Sequence, residues 1–134
     1  MVRPKSAYPT ELELQILKIL WQQSPLAVRE VRDALAKGGR DLAHTSVITT
    51  LNVMVRKKYL RRRRDGNAYL FEPRIAKEDV SRQVLGDLLD RVFDGSAKAV
   101  VMGLFDCDAL DSSDLKELRL LIDQKAKEQN NERK

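Results

Sequence analysis

The feature that most constrains this chain is a change of hydrophobic period at Tyr59. Up to that point apolar residues recur at the spacing of amphipathic helices. Beyond it, Tyr59-Leu60-Arg61-Arg62-Arg63-Arg64 and Ala68-Tyr69-Leu70-Phe71-Glu72-Pro73 flank Asp65-Gly66-Asn67, which predicts a β-hairpin. Asp-Gly supplies the positive φ that a tight turn needs, and Pro73 ends the second strand.

Three helices are predicted before the hairpin. Thr10-Glu11-Leu12-Glu13 reads as a capping box, in which hydroxyl and carboxylate satisfy each other's backbone N–H groups. Leu12, Ile16, Ile19 and Leu20 then line one face until Ser24-Pro25 stops the helix. Val28, Val31 and Leu35 line a second helix ending at Gly38-Gly39, with Ala27 a weak cap for its start. A third runs from about His44 to Lys57 on a stripe of Val47, Leu51, Met54 and Val55. Helix, helix, helix, hairpin is the order of a winged helix-turn-helix, assigned to residues 1–75.

Residues 76–134 read as all-helical. Ala76 to Phe93 carries Val80, Val84 and Leu88 in one row and Leu85, Leu89 and Val92 in the next; Asp94-Gly95-Ser96 breaks it. Ala97 to Phe105 and a helix from Asp111, with Leu115, Leu118, Leu121 and Ile122 inward, follow. Three helices of this length cannot cover their own apolar surface. A dimerisation domain is therefore expected, with Val84, Leu88, Leu89, Val92, Phe93, Val100, Val101, Leu104, Leu118 and Leu121 at its interface. The polar stretch from Gln124 to Lys134 is expected to fray. The fold class is mainly α: a winged helix-turn-helix domain, three helices plus a β-hairpin wing, followed by an all-α dimerisation domain.

Composition narrows the function. No apolar run approaches the roughly 18 residues of a transmembrane helix. Met1-Val2-Arg3-Pro4-Lys5 lacks the apolar stretch of a signal peptide, so a cytoplasmic protein without membrane insertion is expected. A lone cysteine, Cys107, excludes an internal disulfide, and with a single histidine, His44, no metal site and no cofactor are expected. Aromatic residues make up 5%, too few for the stacking platforms of single-strand binders. The net charge of +5 conceals an asymmetry: 15 basic against 7 acidic residues up to Ile75, then 10 against 13. A basic first half points to a polyanion as its partner.

The third helix and the hairpin supply the candidate site. With Val47, Leu51 and Met54 inward, Thr45, Ser46, Thr49, Asn52, Val53 and Arg56 face out. Small hydroxyl and amide groups let a helix lie deep in the major groove, so Thr45, Ser46, Thr49 and Asn52 are the expected base readers. Seven basic residues fall within nine positions, Arg56-Lys57-Lys58 and Arg61 to Arg64. His44, Arg56, Lys57, Arg61, Arg62, Arg63 and Arg64 are the expected contacts to the DNA backbone. An ordinary solvated helix surface and a charged edge that blocks strand aggregation are the bland readings of the same residues. No catalytic constellation is present: there is no Walker loop or dinucleotide glycine fingerprint, and Cys107 lacks a basic neighbour in sequence. Asp106, Asp108, Asp111 and Asp114 lack the glycine and terminal glutamate of a calcium loop, and Asp111 to Asp114 read as the cap of the last helix.

From Thr10 to about Ile122 the chain resembles the penicillinase repressor (BlaI/MecI) family of winged-helix regulators. The resemblance rests on Glu11-Leu12-Glu13-Leu14-Gln15-Ile16-Leu17-Lys18-Ile19-Leu20-Trp21, Val28-Arg29-Glu30-Val31, His44-Thr45-Ser46-Val47-Ile48-Thr49-Thr50-Leu51-Asn52, the turn at Gly66, Tyr69 to Pro73, and Phe93-Asp94-Gly95-Ser96. It implies a homodimeric repressor that grips a palindromic double-stranded DNA operator, with a sensor-protease or an inducer as a further partner. The chain departs from the family at Val53, where a basic residue is usual, and near Lys58, where glycine is frequent. Gly103-Leu104 stands where relatives cut by a protease have Asn-Phe. Two other readings stay open: a ligand- or metal-responsive winged-helix regulator, and a winged-helix module that binds an acidic protein.

Overall fold

The computed structural model describes residues 8–132. The elements run α1 (Glu11–Gln22), β1 (Leu26–Ala27), α2 (Val28–Lys37), α3 (His44–Arg56), β2 (Leu60–Asp65), β3 (Ala68–Pro73), α4 (Lys77–Arg91), α5 (Ala97–Asp106) and α6 (Ser112–Glu132). The chain divides into two compact units between Gly86 and Asp87, inside α4. The expected boundary at Ile75 falls earlier, at the end of the hairpin, whereas Val80 in the first turns of α4 is buried within the first unit.

Local chemistry sets the first unit's helices. Thr10 and Glu13 close the expected capping box: the Thr10 N–H donates to Glu13 Oε1 (2.8 Å) and the Glu13 N–H to Thr10 Oγ1 (3.3 Å). Ala27 gives α2 no side-chain cap, and the Glu30 carboxylate instead accepts from the Ala27 N–H at 3.0 Å. Ala43 gives α3 none either. The turn between α2 and α3 is held by Arg32, whose Nε–H donates to the Leu42 carbonyl (2.9 Å).

Ile16, Leu17 and Leu20 from α1, Val31 and Leu35 from α2, and Val47, Leu51 and Met54 from α3 meet Leu26, Leu60 and Phe71 of the sheet in one core. Each large apolar side chain buried there stabilises the unit by about 1.5–3 kcal/mol.

The hairpin pairs Leu60 with Pro73, Arg62 with Phe71 and Asp65 with Ala68. Its two-residue loop, Gly66-Asn67, has positive φ at Gly66 (62°), where glycine carries no Cβ penalty. A third strand was not expected. Leu26 and Ala27 pair antiparallel with Phe71 and Leu70, giving the order β1-β3-β2 and leaving β2 at the edge.

The second unit is helical. Ser96 caps α5 through its hydroxyl, which accepts from the Ala99 N–H (3.1 Å). Asp111 and Asp114 cap α6 reciprocally: the Asp114 N–H donates to Asp111 Oδ1 (2.8 Å) and the Asp111 N–H to Asp114 Oδ2 (3.1 Å). The stretch from Gln124, expected to fray, is part of α6 as far as Glu132. Lys, Gln, Ala and Glu are good helix formers, and Lys125 pairs with Glu128 at 3.8 Å. Arg133 and Lys134 lie outside the described residues. Neither α5 nor α6 contains a buried residue. Among the described residues no helix is long and apolar enough to cross a membrane.

Candidate nucleic-acid interface

Burying Val47, Leu51 and Met54 fixes how α3 is rotated on the core. Thr45, Ser46 and Thr49 are consequently exposed on its first turns, as the spacing predicts. Thr50 is turned back on the helix, its hydroxyl donating to the Ser46 carbonyl (2.9 Å). His44 opens the helix and is exposed, and so is Arg56 at its end. Asn52 is half-buried.

Period-two geometry divides the arginines of β2. Directly opposed residues in an antiparallel pair share a face. Arg62 and Arg64, opposite Phe71 and Tyr69, therefore lie on the face that carries Leu60 and the core. Arg61 and Arg63, opposite Glu72 and Leu70, lie on the other. All four are exposed, because the ribbon outruns the domain beyond Leu60. Arg61 pairs with Glu72 at 3.9 Å. Among the described residues no ion pair is formed by Arg62, Arg63 or Arg64. Arg64 donates through Nε to the Gly66 carbonyl (3.2 Å).

Lys57, of the expected phosphate set, is held in an ion pair with α1. Its ammonium donates to both carboxylate oxygens of Glu13, at 2.9 and 3.1 Å, and the Glu13 side chain is 4% exposed. As C-cap of α3, Lys57 sits in a basic run, and its ammonium reaches across to Glu13 in the first turn of α1. Next to it Lys58 holds φ at 68°, left-handed backbone that a non-glycine residue rarely adopts.

A groove that no sequence pattern announces lies between α3 and the wing. It has a volume of about 480 Å³ and is lined by His44, Ile48 and Asn52 from α3, Val28 and Arg29 from α2, and Arg62, Asn67, Tyr69 and Phe71 from the hairpin. Tyr69 was visible in the pattern, since the hairpin register sets it diagonally across from Arg62. Arg29 had no such signal.

In the second unit, the expected interface residues Leu88, Val92, Val101, Leu104 and Leu121 are exposed. Leu89, Phe93, Val100 and Leu118 are half-buried, as is Val84 of the first unit. Met102, Phe105, Leu115, Leu120 and Ile122, and Leu85 in the first unit, are further exposed apolar residues outside the expected interface set. No group of histidine, cysteine and carboxylates able to hold a metal ion occurs among the described residues.

A polar-faced helix beside a cationic β-ribbon, on three helices and a three-stranded sheet, defines a winged-helix regulator. The penicillinase repressor family model matches residues 9–124, and the chain belongs to the penicillinase repressor family. It is accordingly a DNA-binding transcriptional repressor, in a family that is not enzymatic. The chain is 23% identical over 115 residues to the penicillinase repressor of Bacillus licheniformis, covering 86% of this chain and 89% of that one. To the transcriptional regulator BlaI of Mycobacterium tuberculosis it is 29% identical over 106 residues, with coverages of 78% and 76%. In fold it is similar to a transcriptional regulator of Thermotoga maritima, with a TM-score of 0.50, 19% identity, and coverages of 91% and 77%.

Proposed function

We propose that two copies of this chain, joined through their second units, occupy a palindromic operator in the cytoplasm and block access to a promoter. The observation that carries this reading is the exposure of Thr45, Ser46 and Thr49 on the first turns of α3, in the unit that also bears the four-arginine edge strand. Serine and threonine side chains are short enough for a helix to approach base edges closely, and their hydroxyls bond any base. Arg56, Arg61, Arg63, Arg64 and His44 hold phosphates on either side, releasing counterions and making affinity salt-dependent.

The second unit favours a symmetric pair over a monomer. Its exposed leucines and valines form apolar surface that a second copy would remove from water. A two-fold axis makes the operator a palindrome, its half-sites separated by about 10 bp or a multiple of that.

Light scattering and fluorescence anisotropy test this together. The expected result is a mass of two chains and tighter binding to the gene's own upstream duplex than to a scrambled one, weakening with salt. A monomer, or equal affinity for both duplexes, overturns it.

A further inference from the structure

Above the shared core, one side chain spans the exposed faces of α3 and the wing. Arg62 of β2 donates from Nη1 to Asn52 Oδ1 of α3 at 2.9 Å. Its guanidinium carbon also lies 4.6 Å from the centre of the Tyr69 ring, on the neighbouring strand. An exposed arginine ordinarily samples many rotamers, and ordering it on binding opposes affinity. Here an amide acceptor and an aromatic face hold it before any ligand arrives, at the rim of the groove between helix and wing.

We infer that Asn52 and Tyr69 are positioning residues that lock Arg62, and that Arg62, rather than Asn52, is the specificity-determining contact at this end of α3. The donor inventory supports the assignment. Of the five N–H groups on a guanidinium, the Nε–Nη2 edge stays free after Nη1 bonds Asn52, and that edge matches a guanine N7/O6 pair or a phosphate bidentately. Asn52 is the poorer reader, because Oδ1, which would accept from an adenine amino group, already holds Arg62. Register supplies the second element of the lock. Arg62 faces Phe71, so Tyr69 lies one pleat further on the same face, within reach of the ring stacking observed. Because the lock bridges α3 and β2, the recognition helix and the wing meet a duplex as one rigid body.

This inference rests on the duplex-binding reading above, and two measurements on the full chain separate their failures. In the free protein, the Arg62 Nε–H resonance should be shifted by the Tyr69 ring and resolved from those of the other wing arginines. Asn52→Ala and Tyr69→Leu should each return it to the solvent-exposed position, and Tyr69→Phe should not. In anisotropy titrations with a panel of single-base operator variants, Asn52→Ala should weaken binding roughly three- to tenfold while Arg62 is present. In an Arg62→Ala background the same change should have no further effect, and Arg62→Ala alone should flatten the ranking of variants at one position. Additive losses from Asn52→Ala and Arg62→Ala would show Asn52 reading bases independently and would overturn the lock. So would an Arg62 resonance that ignores both partner substitutions, even with operator binding intact. Absence of wild-type binding to any duplex would instead sink the duplex-binding reading, leaving the resonance test of the lock standing.

Discussion

Lys57 and Glu13 form a two-pronged ion pair between the end of α3 and the first turn of α1, with Nζ at 2.9 and 3.1 Å from the two carboxylate oxygens. Glu13 is simultaneously the capping carboxylate of α1, accepting from the Thr10 N–H. One buried acid thus fixes a helix start and anchors the helix that carries the candidate base readers.

Removing the cation strands a buried charge. Breaking a buried pair costs about 3–5 kcal/mol, less where one partner reaches solvent. With the Lys57 side chain 34% exposed, Lys57→Met should lower unfolding free energy by about 2–3 kcal/mol in urea titrations. It should leave the salt slope of duplex binding unchanged. A flattened slope would return Lys57 to the phosphate contacts.

Arg63 should behave in the opposite way. It is exposed on the wing without an ion-pair partner among the described residues. Arg63→Ala should leave stability nearly unchanged, weaken binding to all duplexes alike and reduce the salt slope by about 1.

Thr49→Ala should change which operator variants bind best, by about 1–3 kcal/mol at one position, with the salt slope preserved. Competition titrations against a panel of variants read this directly, and an unchanged ranking would remove Thr49 from the base readers.

Lys58 offers a stabilising substitution. A side chain at φ 68° is strained by roughly 1–2 kcal/mol, while glycine there gives up about 0.5–1 kcal/mol of backbone entropy. Lys58→Gly should therefore raise the melting temperature by a few degrees, as measured by thermal denaturation.

Tyr59 predicts an alkaline effect. Burial raises its phenol above the ordinary value of 10.0, with Glu13 adding to the rise and Lys57 opposing it. The folded state keeps a proton that the unfolded chain has lost. Its stabilising effect is thus complete below 10.0 and disappears as pH rises through the higher folded value. Denaturation at about pH 9 and about pH 11 should show a smaller loss of stability in Tyr59→Phe than in the wild type.

What was legible in the sequence was what sits close along the chain. The Thr10–Glu13 box, the Asp111–Asp114 pair and the Gly66 turn each need only neighbouring residues, and each is found where the sequence placed it. The outward set on α3 followed from helical period once Val47 and Leu51 were assigned inward. Strand β1 had no local signature, because two residues become a strand only by pairing with Leu70 and Phe71 far along the chain. The Lys57–Glu13 pair was hidden for the same reason, since nothing near Lys57 in the sequence announces Glu13. Asn52 and Arg62 were each singled out, yet their bond depends on how the hairpin folds across α3, which no periodicity contains.

The single tryptophan gives the molecule an internal optical gauge. Trp21 donates through Nε1 to the Ile75 carbonyl at 2.9 Å, just where the chain leaves the hairpin for α4. Its emission therefore registers whether that segment stays docked on α1. Titrating operator into the unlabelled protein will reveal, by the colour and intensity of one indole, whether occupying DNA loosens or tightens the exit toward the second unit.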